Sequence, residues 1–283
     1  MTLLTWIIIF SLLGGVLSVI AASVFLLIND KYQKIILPHT VSFAIGALLG
    51  AALLALLPHA ITINENVDLH DLGLTILIGL LGFFLLEKMV LWRHCHSSHC
   101  EVHSPSEVHS QNEIHTSAEI QQAEHKHSHA HQDNKDVSGT LIIVGDAVHN
   151  LVDGVLIAAA FMTDIDLGIV TALAVAAHEI PQEIGDFAIL LNSGFKRGRA
   201  LLFNILASMA TLIGALIAYY SLQSMQGALP YILAIAASSF IYIAVADLIP
   251  DLHKRTELRA TVQQITLIAL GVVTIYWAHS TLH

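Results

Sequence analysis

The sequence predicts an all-α, polytopic membrane protein with eight transmembrane helices. Three observations predict it. Of 283 residues, 55% are hydrophobic and only 12% charged, with a mean hydropathy of +0.70. Eight apolar runs reach the roughly 17–25 residues that a helix needs to cross a bilayer. All twelve Lys and Arg residues fall in or beside alternate connections between those runs. Closed β-barrels are the other way to satisfy backbone groups in lipid, and the runs show no two-residue alternation.

The runs lie near 5–28, 37–57, 72–93, 138–162, 167–191, 198–221, 228–249 and 261–281. The first has no basic residues ahead of it and no convincing cleavage site, so it reads as a retained span rather than a signal peptide. Lys31 and Lys34 separate it from the second. An acidic connection over 58–71, with Glu65, Asp68 and Asp71, leads to the third. Lys88, Arg93, Lys126 and Lys135 lie between the third and fourth. Only a short turn with Asp164 and Asp166 divides the fourth from the fifth. Lys196, Arg197 and Arg199 precede the sixth, and Lys254, Arg255 and Arg259 precede the eighth. With the N-terminus outside, every basic residue is cytoplasmic, and both termini are extracytoplasmic, in a plasma or bacterial inner membrane. Trp6, Tyr276 and Trp277 then fall at the outer interface and Trp92 at the inner one.

The whole chain, 1–283, reads as one transmembrane domain. Its single long polar insertion, 94–136, holds ten histidines, including His125, His127, His129 and His131, and the pair Cys95 and Cys100. It has too few apolar residues to bury a core, and disorder is expected there. Imidazoles at this density point to loose metal binding on the cytoplasmic side. The formal charge of −10 and the absence of a basic stripe exclude a nucleic-acid surface.

The fourth and fifth runs depart from plain hydrophobicity. At about 100° per residue, His149, Asn150 and Asp153 fall at about −60°, +40° and −20° from Asp146. On the fifth, Glu179, Gln182, Glu183 and Asp186 fall at about 100°, 40°, 140° and 80° from His178. Each run thus has one polar stripe near midspan. A carboxylate at that depth costs roughly 2.5–3.5 kcal/mol on insertion scales, so two such stripes point to facing walls of an ion site. Imidazole and carboxylate together suit zinc or another transition metal, whereas a calcium or magnesium site would be built from oxygen alone. Pro181 removes a backbone donor and frees the Ala177 carbonyl, a feature expected at a kinked transport helix. A zinc-protease reading of His178-Glu179 fails, because the fifth position of that pattern is Gln182.

These motifs resemble those of the ZIP (Zrt-/Irt-like) divalent metal transporters. His149-Asn150-Leu151-Val152-Asp153-Gly154 is similar to that family's fourth-helix pattern. His178-Glu179-Ile180-Pro181-Gln182-Glu183, followed by Gly185-Asp186, resembles the subfamily with a His-Glu-x-Pro-His-Glu fifth-helix motif. The resemblance covers essentially the whole chain. It implies a 3+2+3 helix arrangement and a homodimer. It also implies alternating access, with helices one, four, five and six moving against two, three, seven and eight. One metal position would use His149, Asp153, His178 and Gln182. An adjacent one would use Asn150, Asp153, Glu179 and Gln182, with Asp153 bridging. Gln182 departs from the His or Glu usual there, and a neutral amide is a weaker ligand. The sixth helix offers Asn204, Ser208 and Thr211 but no acid, so one ion or two stays open.

Other candidates belong to the path or support the ligands: Asp146, Glu183 and Asp186 beside the site, His59 at the outer end of helix two, and Asp247 near the inner end of helix seven with Pro250 and Asp251 after it. The reading is inward transport of zinc, with Fe2+, Mn2+ or Cd2+ as further cargo, by a transporter and not an enzyme. The competing class is a membrane metal sensor or buffer without transport. A cation–proton exporter is a third class. Such proteins carry a soluble C-terminal domain, whereas here the sequence reaches His283 directly after helix eight.

Overall fold

A computed structural model describes residues 1–63, 67–94, 130–255 and 257–282, with the backbone alone for Asp30, 90–94, 130–141 and 282. Eight helical rods follow one another: α1 (Leu3–Phe25), α2 (Lys31–Thr62), α3 (Leu69–His94), α4 (Ala130–Thr163), α5 (Ile165–Asn192), α6 (Arg197–Leu222), α7 (Gln226–Leu252) and α8 (Leu258–Leu282). No strand occurs among the described residues. Seven rods are long and apolar enough to cross a membrane. The other is α5, 28 residues long, whose apolar character is diluted by His178, Glu179, Gln182, Glu183 and Asp186.

Rod ends differ from the hydropathy limits. α2 runs on to Thr62 instead of stopping near 57, and α4 begins at Ala130 instead of 138. Hydropathy marks the lipid layer, whereas a hydrogen-bonded helix continues into water until a cap or breaker stops it. The last residues of the polar insertion, 130–136, therefore belong to a helix. Residues 95–129, with Cys95, Cys100, His125, His127 and His129, lie outside the described residues, and of His131 only the backbone is described.

Caps fix the connection that aligns α4 with α5. Asp164 accepts hydrogen bonds from the N–H groups of Asp166 (2.8 Å) and Leu167 (3.2 Å), so one residue reverses the chain. At the other end of α5, Gly194 takes φ +93° and Phe195 N–H bonds back to the Leu190 carbonyl, a left-handed cap open to glycine.

Small residues let the rods approach closely, as lipid-embedded helices require. A methyl group on Gly154 would strike the Thr211 carbonyl, and one on Gly214 the Leu151 carbonyl, so α4 and α6 touch backbone to backbone. Gly46 and Gly271 do the same for α2 and α8, against the Ile268 and Phe43 carbonyls. α3 packs on α7, and α1 lies against α4, α5 and α6. The interior is correspondingly rich in alanine, including Ala47, Ala51, Ala52, Ala55, Ala158 and Ala159.

Three rods carry a break invisible in hydropathy, and in α1 it spans Leu13–Leu17. Over Ala51–Leu56 in α2 and Ile243–Leu248 in α7 the helix widens to π geometry. Leu57 N–H then bonds the Ala52 carbonyl, and Ile249 N–H the Ala244 carbonyl, five residues back. Proline follows each, Pro58 and Pro250. The wider turn accommodates a ring that would clash with the carbonyl four residues earlier.

The glycine contacts give a direct test. Gly154→Leu is expected to destabilise the fold by about 1–3 kcal/mol or more, seen as a lower melting temperature of the purified protein. Gly185→Ala, where added bulk meets nothing within 4 Å, should leave melting unchanged or raise it.

Candidate metal site

The polar stripes of α4 and α5 meet near the middle of the bundle. Four side chains converge there: His149 and Asp153 from α4, His178 and Glu179 from α5. His149 Nε2 lies 3.4 Å from His178 Nε2, 3.6 Å from Asp153 Oδ2 and 3.5 Å from Glu179 Oε1. His178 Nε2 lies 3.3 Å from Asp153 Oδ2 and 3.6 Å from Glu179 Oε1. Five of the six edges of this group are thus 3.3–3.6 Å and all are within 4.8 Å; a regular tetrahedron with edges of 3.3–3.6 Å has its centre about 2.0–2.2 Å from each corner, the length of Zn–N and Zn–O bonds.

The chemistry agrees with the size. The side chains of Asp153, His178 and Glu179 are each 1% exposed, and none of the four carboxylate oxygens has a hydrogen-bond partner. Buried, unpaired carboxylates are costly unless a cation sits between them. Two carboxylates and two neutral imidazoles would exactly balance one divalent ion. His178 Nδ1 lies 3.1 Å from the Ala174 carbonyl, which can only accept, so Nδ1 carries the hydrogen and Nε2 turns its lone pair to the cage. The His178 ring also rests against Phe240 of α7, centroids 6.2 Å apart. His149, its side chain 23% exposed, is the cage member an ion can reach from outside.

Asn150 is held elsewhere. Its Nδ2 donates to Asp146 Oδ1 (2.8 Å), and its Oδ1 accepts from Thr211 Oγ1 of α6 (2.7 Å). On the α4 wheel His149 and Asp153 look towards α5, while Asn150, on the far side of the stripe, looks towards α6. Of the adjacent position expected from Asn150, Asp153, Glu179 and Gln182, the Asn150 side chain is engaged with Asp146 and Thr211. Gln182 is half-buried, one turn beyond His178, and forms no hydrogen bond among the described residues. The signal that α6 claims Asn150 was present in the sequence as Thr211, but only the fold shows the two in contact.

Further along, Glu183 is fully buried with both oxygens unpartnered, Asp146 is buried and Asp186 half-buried. All three lie on the side of the cage towards the N-terminus of α4 and the C-terminus of α5. Asn204 and Ser208 are buried on α6, with Ser208 donating to the Ile205 carbonyl (3.1 Å). Asp247 is exposed within the wide turn of α7, and Asp251 pairs with Lys254 at 2.7 Å. His59 is remote from the cage and faces His279 of α8, a residue the sequence gave no reason to single out. Sequence reasoning also missed the hydrogen bond from Tyr242 of α7 to Glu87 of α3.

The sequence profile described as ZIP Zinc transporter matches residues 2–277. The chain belongs to the ZIP zinc transporter family. Among its relatives, zinc transporter ZIP13 of Mus musculus is 32% identical over 250 residues, covering 84% of this chain and 68% of its own length. Zinc transporter ZIP13 of Gallus gallus is 31% identical over 273 residues, covering 86% and 74%. A ZIP13 homolog of Drosophila melanogaster is 29% identical over 275 residues, covering 86% and 78%. The ZIP fold is thus an integral membrane bundle in which α4 and α5 carry a cluster able to hold a metal ion.

If Asn150 is structural, Thr211→Val should lower the melting temperature, by about 1 kcal/mol of stability, because Asn150 loses its α6 partner. The tetrahedral Co2+ absorption of the purified protein should persist in Thr211→Val and disappear in His178→Ala.

Proposed function

We propose that this protein carries divalent metal, zinc foremost, from outside into the cytoplasm through the α4/α5 cage. The observation that carries the reading is the set of five ligand-atom separations of 3.3–3.6 Å around carboxylates that have no other partner. His149, Asp153, His178 and Glu179 are the ligands. Asn150 positions α4 against α6, and Gln182 lies on the path. One ion at a time fits this set. The mixed nitrogen and oxygen donors favour Zn2+ and admit Fe2+, Mn2+ and Cd2+ over Ca2+ and Mg2+.

A cation replacing its water with two carboxylates forms an electrically balanced unit in a medium that penalises lone charge. From the cage, Glu183, Asp146 and Asp186 offer the next carboxylates in one direction only, and Asn204 lines the α6 side. That direction leads to the basic connection at Lys196, Arg197 and Arg199, which the charge bias puts in the cytoplasm. The charge bias assigns the histidine-rich connection between α3 and α4 to the same cytoplasmic side, where its imidazoles would receive the released ion. The backbone contacts of α4 with α6, and of α2 with α8, support two bodies that move against each other around the site. The apolar windows of α3 and α8 are each only 11% buried, which leaves room for the second subunit of a homodimer.

Zinc uptake into proteoliposomes tests the reading. His149→Ala and His178→Ala should each reduce uptake about tenfold or more. Equal uptake by both variants and the parent overturns the site. Protons compete with the metal for imidazole, so uptake by the parent should fall as external pH drops through about 6–7. A flat profile across that range contradicts ligation by histidine.

A further inference from the structure

The N-terminal ends of α2 and α8 frame a cleft that the metal path does not use. These rods run parallel and touch where Gly46 meets Ile268. Nearer their N-termini lies a cleft of about 230 Å³, its open mouth included. Its polar lining is His39, Ser42, Arg255, Gln263 and Gln264. The connection from α7 is fixed to the two rods at two points. Arg255 Nη2 donates to the Lys34 carbonyl (2.8 Å), and Gln264 Nε2 donates to the Leu252 carbonyl (3.2 Å).

Arg255 is thereby held in place with most of its donors unspent. A guanidinium offers several N–H groups, and the Lys34 carbonyl takes only one arm. Among the described residues Asp251 pairs with Lys254 at 2.7 Å, and neither Arg255 nor Glu257 has an ion-pair partner. The Gln263 side chain is exposed and makes no hydrogen bond there. An oriented guanidinium beside a spare amide donor matches the geometry of a phosphate.

Basic residues crowd the same end. Lys31 and Lys34 precede the cleft on α2, and Lys254 and Arg259 flank Arg255. The surface next to this charge is apolar and bare: Ile35 on α2 and Leu258, Val262 and Ile265 on α8 are all exposed. A charged cleft with an apolar skirt selects a phosphate that carries acyl chains over a free one.

We propose that this cleft binds the phosphate headgroup of an anionic phospholipid. Arg255 is the anchoring donor, Gln263 adds a second, and the acyl chains lie along the bare faces of α2 and α8. Basic pockets between membrane helices take such headgroups on the cytoplasmic side. The choice of leaflet rests on the orientation set by charge bias; the binding does not, and it involves no residue of the metal cage.

Melting of the purified full chain in detergent tests the site, with phosphatidylglycerol or phosphatidylcholine of the same acyl chains added. Native mass spectrometry counts the lipid retained. Phosphatidylglycerol should raise the melting temperature and stay bound, and phosphatidylcholine should do neither. Arg255→Gln should weaken phosphatidylglycerol binding about fivefold or more, and Gln263→Leu about threefold. Loss of the bond to Lys34 lowers melting in either lipid, so the readout is the increment that phosphatidylglycerol adds. Gln263→Leu removes no bond of the fold and decides the matter if Arg255→Gln does not fold. Arg197→Gln, on the connection before α6, should bind phosphatidylglycerol as the parent does. His178→Ala protein, which lacks the cage, should do so too, so failure of the transport reading leaves this test intact. Equal binding of the two lipids overturns the site. Equal weakening by Arg197→Gln and Arg255→Gln also overturns it, in favour of diffuse attraction between charges. Displacement of the lipid by an equal concentration of inorganic phosphate overturns the lipid as the ligand.

Discussion

Asp153 and Glu179 face each other in the middle of a membrane bundle with no hydrogen-bond donor on either. That arrangement is the constraint on which the rest of the architecture depends. Two buried carboxylates repel one another and gain nothing from the surrounding alanines and leucines. His149 and His178 complete the enclosure with their ring nitrogens. A divalent cation resolves all four demands at once, and it does so at the bond lengths that zinc prefers. Local sequence serves this end: the i,i+4 spacing of His149 and Asp153 and the Asp164 turn set α4 and α5 side by side.

The helices around the site divide the labour. α6 supports α4 through the Gly154 and Gly214 contacts and the hydrogen bond from Thr211 to Asn150. Close backbone contact of this kind leaves little freedom for α4 to slide on α6. α7 instead meets the cage through a ring face, Phe240 on His178, which is apolar and free of directional bonds. Such a contact can part without leaving polar groups unsatisfied. Wide turns occur in both sets, over Leu13–Leu17 in α1 as well as in α2 and α7, where each is followed by proline. The matched, proline-followed turns of α2 and α7 fit a bundle built from related halves.

Much of this was legible in the residues. Eight runs of spanning length gave eight rods, because apolar length is what the bilayer selects. The polar stripes identified α4 and α5, since charge at that depth is rarely tolerated without a use. What the stripes did not reveal was the direction each residue faces. His149, Asn150 and Asp153 span about 100° of arc, enough to address two neighbours, and only the packing of α6 shows which residue is withdrawn. Gln182 falls at an angle between His178 and Glu179 on the wheel, and the wheel alone does not say which site it serves. Rod ends escaped hydropathy because capping and polar helix turns lie beyond the lipid. The His59–His279 contact joins residues far apart in the chain, and no periodicity announces it.

The most direct test of the central claim is a structure of the zinc-loaded protein with anomalous scattering recorded at the zinc edge. The account predicts a peak between α4 and α5, about 2.0–2.2 Å from His149 Nε2, His178 Nε2 and one oxygen each of Asp153 and Glu179. A zinc peak ligated instead by Asn150 and Gln182, or a loaded protein with no zinc between these four side chains, would contradict it.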